Sequence, residues 1–134
     1  MSYMPESQRA VLTRLSDEFA VMSRQMAQVS ATLTIVPPHA EFEQGTGHYH
    51  DEVEELYLVP RGVLTMRLGD DVHHVRAGSA VRVAPRTPRS HRNEGDEPVE
   101  IWAVSRRVER SDATKIDDFW PASPTAEQHR DVDA

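Results

Sequence analysis

Short apolar pulses, each closed by proline or glycine, recur through the middle of the chain. Residues 30–36 alternate and are rich in β-branched side chains, and Pro37-Pro38 stops the run. Residues 39–47 carry Gly45 and Gly47 and read as a loop into a strand that holds His48 and His50. Residues 55–59 are apolar at nearly every position, which predicts a strand covered on both faces. Pro60-Arg61-Gly62 turns into a strand over 63–68, and Gly69-Asp70-Asp71 is a hairpin turn into 72–76. Ala77-Gly78 leads into 79–83, a short strand follows at 91–93, and Gly95-Asp96 turns into 99–104. Strands with a turn about every ten residues signal a β-sandwich or barrel.

The two ends read differently. Pro5 and the shared face of Val11, Leu12 and Leu15 predict a short helix within residues 1–16, and the chain turns β-like from residue 18. Ile116, Phe119 and Trp120 form an apolar knot suited to docking on the barrel or on a partner. Residues 121–134 are polar, hold two prolines and show no hydrophobic pattern, which predicts a disordered tail. The organisation expected is an N-terminal extension over 1–17, one domain over 18–120 and a flexible tail over 121–134.

Composition narrows the chemistry. The chain has no cysteine, so disulfides and thiolate metal sites are excluded and any metal must be held by nitrogen and oxygen. A formal net charge of -7 argues against a nucleic-acid surface. No apolar run approaches the ~18 residues of a membrane span, and no signal-peptide pattern opens the chain. The sequence therefore reads as a soluble, cytoplasmic protein without membrane or nucleic-acid partners.

His48-Tyr49-His50 carries the strongest chemical signal. Side chains alternate along a strand, so the two imidazoles share one face. A glutamate soon afterwards, Glu54 or Glu55, can swing in from the next strand. Two imidazoles and a carboxylate suit a divalent transition metal. His73 and His74 follow a hairpin turn on opposite faces, so they read as surface residues that cannot share one ion.

These residues resemble the two motifs of the single-domain cupins, and the likeness spans roughly residues 30–105. The family's first motif places a glutamate shortly after His-x-His and a glycine beyond it, and His48, His50, Glu55 and Gly62 keep that spacing. Glu55 is preferred to Glu54 because it keeps the distance to Gly62 and shares a face with Tyr57 and Val59. The family's glycine ahead of the first histidine is replaced by Phe42. Gly78 and Asn93 match the ends of the second motif. Inside it, Ala84 stands at the proline position, Arg86 replaces a glycine and Arg89 replaces the histidine that is the fourth metal ligand, with His91 two residues later.

The resemblance implies an all-β cupin double-stranded β-helix, a jelly-roll barrel, assembled as a homodimer. It also implies Fe, Mn, Ni or Zn on His48, His50 and Glu55, with His91 as a displaced fourth ligand. Arg89, Tyr57 and Asn93 are then expected to contact a small polar or anionic ligand, with Arg89 gripping the anion. Dioxygenase and isomerase chemistry both fit. The competing reading is a metal-free, ligand-binding cupin in which Arg89 pairs with Glu55 or Glu54. A transcription regulator with a cupin sensor fits poorly, because no helix-turn-helix pattern precedes the strands.

Overall fold

A computed structural model describes residues 10–41, 45–120 and the backbone of 129–132, and in it the strand pulses form two facing sheets. One helix comes first, α1 at Asp17–Arg24. The strands are β1 Val29–Val36, β2 Ala40–Glu41, β3 Gly47–His50, β4 Glu55–Arg61, β5 Val63–Leu68 and β6 Asp71–Arg76. They continue as β7 Ser79–Val83, β8 Arg89–Asn93, β9 Val99–Arg106, β10 Ala113–Ile116 and β11 His129–Val132. One sheet runs β1-β9-β4-β7. The other runs β10-β3-β8-β5-β6-β11, with β2 also on β8. Among the described residues no helix is long and apolar enough to cross a membrane.

The inner faces supply one core. Tyr57, Val59, Val83, Val99 and Ile101 from the first sheet meet Leu64, Met66 and Val75 from the second. Burial of these side chains is the main force closing the two sheets. β4 alternates more than its composition implied. Tyr57 and Val59 are buried, but Leu56 is 37% exposed, so only one face is packed as core. The outward face is partly covered by α1, whose Phe19 ring meets Trp102 edge-on at 5.2 Å.

Gly62 holds its place for two physical reasons. Its φ is 84°, in the left-handed region, and a Cβ there would lie 2.6 Å from the Pro98 carbonyl oxygen. The close turn between β4 and β5 therefore requires glycine.

The ends correct the sequence reading. The helix lies at Asp17–Arg24 and not over Val11, Leu12 and Leu15, which are exposed, Leu12 at 95%. Capping decides this: Ser16 accepts a hydrogen bond from the Glu18 amide, and Asp17 and Glu18 suit the positive end of the helix. Residues 1–9 lie outside the described residues. At the other end, 121–128 and 133–134 also lie outside them, yet His129–Val132 pairs parallel with β6. The edge of β6 offers backbone groups that a strand of any sequence can pair with, so a hydrophobic pattern was not needed.

The apolar knot docks on its own barrel. The Trp120 indole donates to Ser90 Oγ at 2.8 Å, and the Arg92 guanidinium lies 4.1 Å from the Trp120 ring. Phe119 packs with Val72 and Trp120, under the Arg67 guanidinium at 4.5 Å. Of the two expected placements, on the barrel or on a partner, these contacts are those of the first.

Candidate metal centre

The site forms where the two sheets part. β3 belongs to one sheet and β4 to the other, so the histidine face of β3 and the first residue of β4 meet across the opening. The short segment 51–54 makes the crossing. One ligand atom from each of His48, His50 and Glu55 lies within 4.8 Å of the others, and all three residues are half-buried. His50 Nε2 stands 3.8 Å from Glu55 Oε1. The two imidazole rings lie edge-to-face with centroids 5.1 Å apart.

His50 is oriented by a residue that motif reasoning missed. Its Nδ1 lies 2.6 Å from Asp112 Oδ1, in the segment joining β9 to β10. The other oxygen of Asp112 accepts from the Glu52 amide at 2.8 Å and the Val53 amide at 3.0 Å. Asp112 therefore clamps both the ring and the crossing segment that separates the ligands. Burial pushes the Asp112 carboxyl up, but the Glu52 amide, the His50 ring and the Val53 amide outweigh it and hold the group at about 2. An ionised Asp112 accepts a hydrogen bond from Nδ1–H, which leaves the Nε2 lone pair toward Glu55. No local sequence signal marked Asp112, because the contact spans 62 positions of chain.

Asp112→Asn should lower metal affinity roughly 10- to 100-fold, the usual cost of losing a carboxylate behind a ligating histidine. Titration with Zn²⁺ against a competing chelator measures it. Acid unfolding gives a second reading in the metal-free protein. A carboxyl held at about 2 adds stability above its unfolded value of 3.8 and loses it as pH falls toward 2. Asp112→Asn should accordingly flatten the loss of stability between those two pH values. An unchanged urea midpoint profile would count against the clamp.

Glu55 sits in a tight polar network. The Tyr57 hydroxyl donates to Glu55 Oε1 at 2.5 Å, and Arg89 Nη2 donates to the same oxygen at 2.8 Å. Arg89 Nη1 reaches the Thr87 carbonyl at 3.0 Å. Burial pushes the Glu55 carboxyl up, but the Tyr57 hydroxyl and Arg89 guanidinium more than compensate and leave it below the usual range. Burial and the Glu55 charge push the Tyr57 phenol upward, so it stays a donor.

Arg89 is 0% exposed and donates to Glu55 and Thr87, as the metal-free reading expects. His91 is not in the ligand cluster. β8 is regular, His48 stands opposite Arg89, and His91 lies two residues or about 7 Å further along the strand. It lines the inner cavity instead, with its ring 6.1 Å from that of Tyr57. Asn93 is 2% exposed and structural. Its amide nitrogen donates to the carbonyls of Val36, Pro37 and Glu97, and its oxygen accepts from the Gly95 amide. That ties the end of β1 to the turn before β9.

The remaining charged candidates lie aside. Glu54 precedes β4 and pairs with the exposed Arg82. Arg86 is exposed and, with φ 64°, lies in the left-handed region at the position where the motif has glycine. His73 and His74 are half-buried rather than surface residues, and His74 Nε2 lies 3.9 Å from Glu94 Oε1.

Two hollows meet at Glu55. The inner one, about 210 Å³, is walled by Thr32, Thr34, His48, Tyr57, His91 and Ile101. The outer one, about 240 Å³, lies on the His50–Asp112 side. A roomier groove of about 460 Å³ is apolar and lies on the outer sheet face around Leu58 and Trp102, away from this chemistry.

Two facing jelly-roll sheets with a histidine pair and a carboxylate at their opening define a β-barrel protein of the double-stranded β-helix class. The model of the cupin domain family matches residues 32–105, more than half of the chain, and the chain belongs to that family. It is similar to a conserved double-stranded β-helix protein from Klebsiella pneumoniae subsp. pneumoniae MGH 78578. That match has 18% identity and TM-score 0.60, covering 69% of this chain and 77% of the other. A cupin protein from Bacteroides fragilis matches with 19% identity and TM-score 0.60, covering 79% and 88%. KdgF from Halomonas sp. matches with 18% identity and TM-score 0.53, covering 63% and 74%. At these identities the likeness is one of fold. No curated protein matches the chain.

Proposed function

We propose that this cupin binds one divalent transition metal through His48, His50 and Glu55 and acts on a small polar or anionic metabolite. The convergence of three ligand atoms within 4.8 Å carries the reading. The donor set fits such an ion, being two imidazoles and one carboxylate without thiolate. When bound, the ion supplies polarisation of a coordinated substrate oxygen or activation of dioxygen. Isomerase-type and dioxygenase-type chemistry are both consistent with that, and fold alone does not choose between them.

The chain's own residues have distinct tasks in this reading. Asp112 keeps His50 facing inward. Arg89 offsets the Glu55 charge, which weakens the site relative to one with a fourth histidine. Thr32, Thr34 and His91 give the inner cavity polar contacts, while Ile101 and Ala103 keep part of it dry. The homodimer implied by the family belongs to the same proposal and is read by sedimentation.

Loading the chelator-treated protein with Fe²⁺, Mn²⁺, Ni²⁺ or Zn²⁺ tests it. An ion at 100 times its Kd stabilises the folded chain by about 2.7 kcal/mol, so at least one ion should raise the thermal midpoint and chelator should reverse the rise. The second reading, a metal-free ligand-binding cupin, draws on the Arg89–Glu55–Tyr57 network, which satisfies Glu55 without an ion. It predicts a thermal midpoint insensitive to ions and chelator alike.

A further inference from the structure

The strands fix a polar row at the outer end of the barrel. Ser30 stands opposite Ser105, and Ser105 stands opposite Glu55. Alternation places these three on the same inward face as Tyr57 and Thr32. The outer hollow opens over this row, with Arg106 and Arg107 at its wall. Arg107 Nη2 donates to the Ser23 carbonyl at the end of α1, at 2.9 Å, which fixes that side chain beside the hollow. Arg106 follows Ser105 at the end of β9, so it leaves the strand on the opposite face and is exposed at the rim.

The charge here runs against that of the chain. The whole sequence carries -7, yet Arg106, Arg107 and Arg110 fall within five positions, with Glu109 as the one acid among them. The two carboxylates in the hollow are already answered. Glu55 is paired with Arg89, and Asp112 is bound by His50 and two backbone amides. The hollow therefore presents hydroxyls, with the guanidinium groups of Arg106 and Arg107 at its wall, the second already giving one N–H to the Ser23 carbonyl. Its volume of about 240 Å³ corresponds to roughly eight waters at about 30 Å³ each.

We infer that this outer basin is the anion-binding end of the substrate site, and that it takes the carboxylate or phosphate group of a small hydroxylated metabolite. The oxyanion pairs with Arg106 and Arg107 and accepts from Ser30 or Ser105. The rest of the molecule extends past Glu55 toward His48 and His50. This moves anion recognition from the buried Arg89 to the rim. The inference rests on the proposed metal reading for the direction in which the substrate lies.

The test uses full-length Zn²⁺-loaded protein at low salt, with calorimetric titration of inorganic phosphate, glycolate, gluconate and the uncharged polyol sorbitol. Phosphate against the two hydroxy acids distinguishes the sources of the oxyanion, and binding of either kind that depends on Arg106 supports the basin, since the ion itself can take either. Arg106→Ala should weaken oxyanion binding about tenfold, and Arg107→Lys less, consistent with loss or loosening of a charge-assisted contact. Arg106 is exposed, so its removal tests binding without endangering the fold.

Metal content is read on the same samples. Arg106-dependent oxyanion binding without a bound ion refutes the metal reading and keeps the basin. A bound ion with no oxyanion binding refutes the basin and keeps the metal. Equal affinity of wild type and Arg106→Ala, or sorbitol binding as well as gluconate, also overturns the inference.

Discussion

Arg89→Met is expected to destabilise the fold by about 3–5 kcal/mol, the usual cost of removing one partner from a buried ion pair. Glu55 keeps only 14% of its side chain exposed and would lose its main counter-charge, while the Tyr57 hydroxyl would lose the cation beside it. Methionine fills much of the arginine's volume, so the loss reports charge more than packing. Replacing Glu55 as well, in Arg89→Met with Glu55→Leu, should recover a large part of the stability. Urea unfolding of the four proteins in this cycle gives the coupling directly. Additive losses would mean that Arg89 and Glu55 do not depend on each other, against the 2.8 Å contact.

His50→Ala is expected to abolish tight metal binding. It removes one of three ligands, and the loss should exceed the roughly 10- to 100-fold effect of disturbing only its supporting carboxylate. The variant also breaks the link between the cavity and the Asp112 clamp, whose contacts to Glu52 and Val53 do not need the ring. Its fold should therefore survive, and unfolding midpoints in the absence of metal should stay near wild type. Retained stoichiometric metal in His50→Ala would remove this residue from the site.

Local periodicity made most of the barrel legible. The strands at 63–68, 72–76 and 79–83 alternate or end in glycine turns, and they lie at Val63–Leu68, Asp71–Arg76 and Ser79–Val83. The pairing of His48 with His50 was equally readable, because strand geometry alone puts them on one face. Glu55 was readable through its distance to Gly62, a glycine that the Pro98 carbonyl makes necessary.

What sequence could not show depends on contacts between distant segments. Nothing near Asp112 announces that it will meet His50, and nothing near Ser90 announces Trp120. Asn93 looks like a site residue by motif position, yet its hydrogen bonds go to three backbone carbonyls. Arg89 posed the sharpest ambiguity. An arginine on the inward face of a cavity strand can grip a ligand or neutralise a buried acid, and the 2.8 Å bond to Glu55 shows the second arrangement. The apolar spacing of Val11, Leu12 and Leu15 suggested a helix over 1–16, whereas α1 begins only after the cap at Ser16.

These three side chains are proposed to hold an ion beside an arginine-balanced carboxylate. Elemental analysis of protein purified without a histidine tag, as isolated and after reconstitution with each ion, tests that most directly. The account predicts about one equivalent of Fe, Mn, Ni or Zn per chain, lost in His50→Ala. Absence of metal after reconstitution with every ion would contradict it and leave Glu55 and Arg89 as a structural pair.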